Sequence, residues 1–278
     1  MKLNLYSGSR LKMAEAMWPA YYEARLRLAG ATATITPFGD PLHGKPDATT
    51  FKSVGDRQVV WTPAGGTLDT WDTPMDLRQD SSWRGIIPIL EFNGTDEWIT
   101  TPDAGFWTDT AGSSEPSYTW IFWIENPNIA NDQVIWSKST SLSEEGQDWI
   151  LYTDGNVDNI AGFSIDDSVN ASRGRKVGSV TKAMKHVAIT KTTGTTTAAW
   201  DIYINGVLSD DTDVSAGTYV QQENGTGDVR LGAENDGGRP LKAILAGGPL
   251  GPLFIPGTVM AVDLVKRDLE LGRRALAL

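Results

Sequence analysis

Beyond Ile86 the chain is a succession of short apolar or alternating runs, each closed by Gly, Asn, Asp or Pro, the pattern of an all-β sandwich or barrel. The runs predict ten strands, at 89–92, 97–101, 118–124, 133–137, 149–153, 162–165, 186–191, 199–204, 229–232 and 258–265. Within WDIYING, Trp200, Ile202 and Ile204 share one face while Asp201 and Tyr203 share the other, because successive side chains of a strand alternate. Asn205-Gly206 then supplies the positive φ angles of a two-residue hairpin turn. The run TWIFWI at 119–124 is apolar on both faces, which predicts a central strand covered on each side.

The texture before Ile86 differs. Positions 10–28 read as a helix, with Pro19 in the first turn of PAYYEARLRLA and Gly30 at its C-terminal cap. Residues 31–88 are rich in Pro, Gly, Asp and Thr, with Trp61, Trp71 and Trp83 spaced 10 and 12 apart, a texture of extended segments and turns. A short helix closes the chain at 268–276. This predicts two parts: an ordered N-terminal arm over 1–86 and an all-β sandwich over 87–278.

Composition narrows the partners. The net charge of −11 is unevenly placed: residues 1–88 hold 10 basic and 9 acidic side chains, leaving 14 basic and 26 acidic beyond them. An acidic lobe repels phosphate backbones and anionic bilayers, so nucleic acid is excluded as a partner and glycans, cations or proteins fit better. With no cysteine and only His43 and His186, disulfides, thiolate metal sites and histidine-rich centres are excluded. The N-terminus carries no apolar signal core and no run of about 18 apolar residues occurs, which predicts a chain made soluble in the cytoplasm, without membrane insertion.

Several segments, taken in order, carry a family resemblance: LEFNGTDEWITTPD, SYTWIFWIE, QVIWSKS, HVAITKTTGTTTAAWDIYINGVLSD, VRLGAEN and VMAVDLVKRDLELGRRAL. Phe92, Asn93, Gly94, Asp96, Glu97 and Ile99 match an opening-strand motif, and His186 to Ile189 with Tyr203 to Gly206 match a strand and its Y-I-N-G hairpin. Residues 87–276 thus resemble the laminin G-like subgroup of the concanavalin A lectin/glucanase superfamily. The resemblance implies two apposed antiparallel sheets in a jelly-roll sandwich, and it does not reach residues 1–86.

That superfamily holds hydrolases, lectins, adhesion modules and virion proteins, so the site must decide. Its glucanases carry E-x-D-x-E on one strand, which aims three carboxylates into one cleft. The nearest match, Glu234-Asn235-Asp236, runs into Gly237-Gly238 and reads as a turn, so the chain is expected to be no enzyme. Asp154, Asn156 and Asp158 open like an EF-hand loop, which makes calcium the one cofactor in view, but Asn159 and Ile165 stand where that loop needs Gly and Glu. A polar hairpin explains the spacing better than a metal site.

Sugar binding uses aromatic rings beside polar side chains. Trp107, Trp136 and Trp149, nearest the predicted loop ends, and Asn235 and Asp236 in the turn are the candidates, against the ordinary reading of such tryptophans as core. His186 opens a strand, where a structural hydrogen bond explains it, and His43 sits in a turn.

The arm carries Met13, Met17, Trp18, Tyr21, Tyr22, Leu26 and Leu28, an apolar surface that must be covered. It folds back on its own sandwich or docks on another subunit. Met17, Trp18, Tyr21, Tyr22 and Leu26 are the expected assembly residues, and Lys266, Arg267, Arg273 and Arg274 form a local basic run. A lectin-like sandwich with no cysteine, no signal and a Trp-rich extension resembles virion-surface proteins of tailed bacteriophages. That resemblance implies a structural or adhesive protein, a capsid decoration or tail-fibre component, whose partners are other virion proteins, its own copies in a homo-oligomer, or cell-surface glycans. A free lectin and a glycoside hydrolase are the alternatives.

Overall fold

The computed structural model describes residues 25, 51–52, 60–65, 89–108, 115–125, 132–140, 147–154, 159–166, 171–177, 183–210, 212–234, 237–246 and 250–276. Its strands are β1 (Phe51–Lys52), β2 (Val60–Gly65), β3 (Ile89–Glu91), β4 (Glu97–Thr101), β5 (Tyr118–Glu125), β6 (Gln133–Ser139), β7 (Gln147–Asp154) and β8 (Asn159–Asp166). They continue as β9 (Ala171–Val177), β10 (Lys185–Lys191), β11 (Trp200–Ile204), β12 (Val207–Leu208), β13 (Thr212–Asp213), β14 (Val229–Leu231), β15 (Ile244–Ala246) and β16 (Leu253–Pro256), followed by a helix at Val262–Leu276.

A nine-stranded sheet runs β1-β2-β4-β14-β6-β7-β8-β9-β13, and a seven-stranded sheet runs β12-β11-β10-β5-β15-β3 with β16 also paired to β5. The pairings are antiparallel, and the fold is the β-sandwich that the strand pattern predicts. The hairpin turn is also as predicted: Asn205 and Gly206 sit at φ 50 and 74, joining Ile204 to Val207 across a two-residue loop.

The core lies where alternation aims the apolar side chains. Trp120, Phe122 and Ile124 of β5, Trp149 and Leu151 of β7, and Trp200 and Ile202 of β11 point into one buried cluster. Trp120 stacks on Trp200 at 5.7 Å and 6°, and Trp149 on Phe254 at 5.9 Å and 21°. A register shift between Val134 and Trp136 lets adjacent residues Ile135 and Trp136 both face inward, the effect of a β-bulge.

The other face of β5 is covered as well. Ile121, Ala188 and Tyr203 pack with Met260 and Val265, and Trp123 with Leu250 and Leu269, so the C-terminal helix forms a third layer on the seven-stranded sheet. Gly272 makes that layer fit, since a Cβ there would fall 2.3 Å from Trp123 Cζ2.

The structure adds β1, β12, β13, β15 and β16 to the expected strands and corrects the prediction at three further places. The strand expected at 258–265 is not formed: β16 ends at Pro256, Gly257 turns at φ 68, and the helix begins at Val262, ahead of the expected 268. β9, ASRGRKV, has no apolar alternation and becomes a strand through its pairing with β8.

The third correction concerns the arm. β2 pairs with β4 through Thr62↔Thr100 and its neighbours, and Trp61 is fully buried, edge-on to Trp107 at 5.8 Å and to Trp136 at 6.4 Å. Arg25, helical and buried, donates from Nε to Asp268 Oδ1 at 2.6 Å, from Nη2 to Oδ2 at 3.2 Å and from Nη1 to the Gly251 carbonyl at 2.9 Å. His186 Nε2 lies 3.0 Å from Asp268 Oδ2. Burial opposes the Asp268 charge most strongly, but Arg25 and the His186 hydrogen bond outweigh it and hold this carboxyl well below the usual range. The boundary at residue 86 therefore does not separate arm from sandwich at Arg25 or at 60–65. Met17, Trp18, Tyr21, Tyr22 and Leu26 lie outside the described residues.

Candidate functional site

Trp107, Trp136 and Trp149 are fully buried, which corrects their assignment to a sugar platform. Trp107 lies on the 3-10 turn Gly105–Thr108 and stacks on Phe254 at 5.0 Å, while the inward faces of β6 and β7 carry the other two into the same cluster. Rings enclosed on every side present no face to a pyranose. Asn235, Asp236, Asn156 and Asp158 lie outside the described residues, as does the side chain of Asp154, whose backbone ends β7 opposite Asn159. Among the described residues no group of three His, Asp or Glu side chains stands close enough to hold a metal ion.

Three partly exposed aromatics stand elsewhere, on the face of the nine-stranded sheet turned away from the core cluster, beside the buried Val134, Ile150 and Ala161. Ile99 faces the core, so alternation turns Trp98 outward from β4. Leu151 and Ile160 face inward, which turns Tyr152 out from β7 and Phe163 out from β8. Tyr152 meets Phe163 edge-on at 5.5 Å and 79°, and both rings are half-buried.

Between Trp98 and Tyr152 stands the turn after β14. Its backbone is closed by Glu234 N–H to the Gly238 carbonyl at 3.0 Å, Leu241 N–H to Gly232 at 2.8 Å, and Val134 N–H to Arg239 at 2.9 Å. Gly237, at φ 77, lies flat on Trp98, where a Cβ would come within 2.4 Å of Cη2. Arg239 holds Glu234 bidentately, Nε to Oε1 at 2.9 Å and Nη2 to Oε2 at 2.5 Å, and its Cζ lies 6.0 Å from the Tyr152 ring centroid. Aromatic side chains flanking a polar turn are the components that carbohydrate recognition uses.

Other polar clusters are locked into the structure. The Asp148 carboxylate accepts from Gly225 N–H and Thr108 Oγ1, each at 2.8 Å, and from the fully buried Lys138 amine. Burial raises its proton affinity most, and Lys138 with these donors opposes the shift. Glu115 accepts from Lys191 Nζ at 2.5 Å, Tyr219 OH at 2.6 Å and Gln222 N–H at 2.7 Å. Lys191, also buried, is pushed down by desolvation against the pull of Glu115. Neither carboxylate is placed to protonate a glycosidic oxygen.

On the helix-covered face of the seven-stranded sheet Tyr203 OH donates to Asp201 Oδ2 at 3.3 Å. Burial and the charge of Asp201 push its phenol up to about 12. The folded state thus holds this proton more tightly than the unfolded chain, so the contribution is present below the unfolded value of about 10 and is lost as pH rises through about 12. In a phenolate absorbance titration of the folded chain, a phase near that value is expected that is lost in Tyr203→Phe; the same phase in the variant, undiminished, would refute the assignment.

Sequence reasoning passed over Trp98, Tyr152, Phe163 and Arg239. The signal for Trp98 is the alternation E-W-I-T-T: once Ile99 is inward, its neighbour is outward. The choice of tryptophans by nearness to loop ends used position along the strand, whereas parity across it decides exposure.

No family model and no curated protein matches the chain. Similar solved structures exist. The receptor-binding domain of botulinum neurotoxin C/D mosaic serotype is 12% identical with a TM-score of 0.55, the match covering 85% of this chain and 50% of that one. The binding domain of botulinum neurotoxin DC in complex with rat synaptotagmin II gives 8% and 0.55 over 87% and 52%. A botulinum neurotoxin type C structure, described as entering cells through interaction with two ganglioside molecules, gives 9% and 0.53 over 88% and 52%. The chain spans about half the length of each, and the likeness is one of fold.

Proposed function

We propose that the chain is a non-enzymatic, lectin-like adhesive module that binds glycans at the partly exposed aromatics on the face of its nine-stranded sheet turned away from the core cluster. The observation that carries this reading is the placement of Trp98, Tyr152 and Phe163, all partly exposed, around the Glu234–Arg239 turn. The partners of its structural neighbours, ganglioside molecules for one and rat synaptotagmin II for another, support an adhesive use of the fold. The enclosure of Asp148 and Glu115 by structural partners favours binding over hydrolysis. We further assign the module to a phage virion surface, as decoration or tail-fibre component; the support is the sequence resemblance, and immunolabelling of purified particles tests it.

The binding site is tested on a glycan array with the full chain and its Trp98→Ala variant. A sugar stacked on the indole is expected to lose about tenfold or more in affinity, the equivalent of about 1.4 kcal/mol, with an unchanged thermal midpoint because Trp98 lies outside the core cluster. An array with no glycan bound by the full chain refutes the reading.

A further inference from the structure

The same turn indicates which class of glycan fits, an inference that rests on the binding role just proposed. Arg239 is a cation that reaches the aromatic row, 6.0 Å from the Tyr152 ring centroid, and its charge is already matched; Arg230, on the same face by parity, lies 3.7 Å from Asp228. Two of the Arg239 nitrogens are on the Glu234 carboxylate, while the plane of the guanidinium approaches Tyr152. Glu234 is 4% exposed, so an incoming carboxylate that drew Arg239 away would strand a buried anion, which costs far more than a surface pair returns.

The backbone gives a second, independent sign that this pairing is fixed. Arg239 sits at φ 46, a left-handed conformation that non-glycine residues rarely adopt, between Gly238 and Pro240. Strained positions persist where surrounding contacts over-determine them. Here the Arg239 carbonyl accepts from Val134 N–H and its side chain is clamped by Glu234. The third sign is the field: the chain from residue 89 onward carries 26 acidic against 14 basic side chains, which disfavours an anionic ligand at any distance that salt does not screen.

We infer that the site takes uncharged pyranosides and discriminates against sugars that carry a carboxylate. Neutral hydroxyls accept from and donate to the turn without disturbing the Glu234–Arg239 pair, and the apolar C–H faces lie on the aromatic rings. Positive selection comes from the rings, and rejection from a cation that is not available for exchange.

The experiment titrates the full chain with matched pairs of oligosaccharides, lactose against its sialylated form and a glucose oligomer against its glucuronate-ended form, at about 0.05 and 0.5 M salt. Expected are binding of the neutral member of a pair, at least tenfold weaker binding of its charged partner at low salt, and little salt dependence for the neutral one. Glu234→Gln, which releases Arg239 while keeping the shape of its partner, is expected to narrow that ratio. If the charged member binds as well as the neutral one and Trp98→Ala weakens both, the charge inference fails and the proposed site stands. If neither member of any pair binds, or if binding is indifferent to both Trp98→Ala and Tyr152→Ala, the proposed site itself fails, and the inference with it.

Discussion

Arg25→Ala is expected to lower the unfolding free energy by about 3–5 kcal/mol, read as a fall in the urea midpoint at unchanged slope. The guanidinium reaches a carboxylate with 1% exposure, and its removal leaves Asp268 with His186 as its remaining side-chain partner among the described residues. The loss measures an abandoned buried charge more than the worth of an ion pair. The combined variant Arg25→Met with Asp268→Leu, which removes both charges, is therefore expected to lose less than Arg25→Ala. The pH dependence has a defined sign. Asp268 is depressed by Arg25 and His186 against the opposing effect of burial, so its stabilising contribution is full above the unfolded carboxyl value of about 3.9 and is lost as pH falls below it. Arg25→Ala is expected to flatten that acid limb. A midpoint within experimental error of the parent would show that this contact does not fasten the N-terminal segment.

Fold class was legible because it rests on period. WDIYING and TWIFWI each state their face assignments in full, and both lie as read, with Trp200 and Ile202 inward and β5 covered by core on one side and helix on the other. What was not legible depends on partners distant in sequence. Ala171–Val177 is polar throughout and is a strand because β8 supplies its hydrogen bonds. Val60–Gly65 contains Pro63 and Gly65 and follows no alternation, yet β4 provides a register for it and Trp61 fills a space beside Trp107 and Trp136.

The candidate site shows the same division. Trp98 could have been found from Ile99 by parity alone, and Tyr152 from Leu151. Nothing in the order Gly-Gly-Arg-Pro announces that Arg239 adopts a left-handed φ and reaches back to Glu234, because that geometry is fixed by Val134, a residue more than a hundred positions away.

Starting the chain at residue 87 is expected to abolish cooperative folding rather than release a stable sandwich. The truncation removes Trp61, a fully buried side chain, and deleting a core aromatic ring costs about 3–5 kcal/mol by itself. It removes Arg25 from Asp268, a loss of similar size, and it strips β2 from β4, which leaves a bare sheet edge open to intermolecular pairing. Net stabilities of folded domains are only about 5–15 kcal/mol, so these losses reach the scale of the whole. The expected outcome is an aggregated or non-cooperative product without native near-ultraviolet circular dichroism, and Trp61→Ala alone should lose about 3–5 kcal/mol in a urea titration. A soluble, cooperatively unfolding chain from residue 87 would restore the boundary between arm and sandwich. Until that is observed, a change of oligomeric state on truncation carries no information about assembly, because a chain that has lost Trp61 and Arg25 has lost part of its core and its helix anchor along with any intersubunit contact.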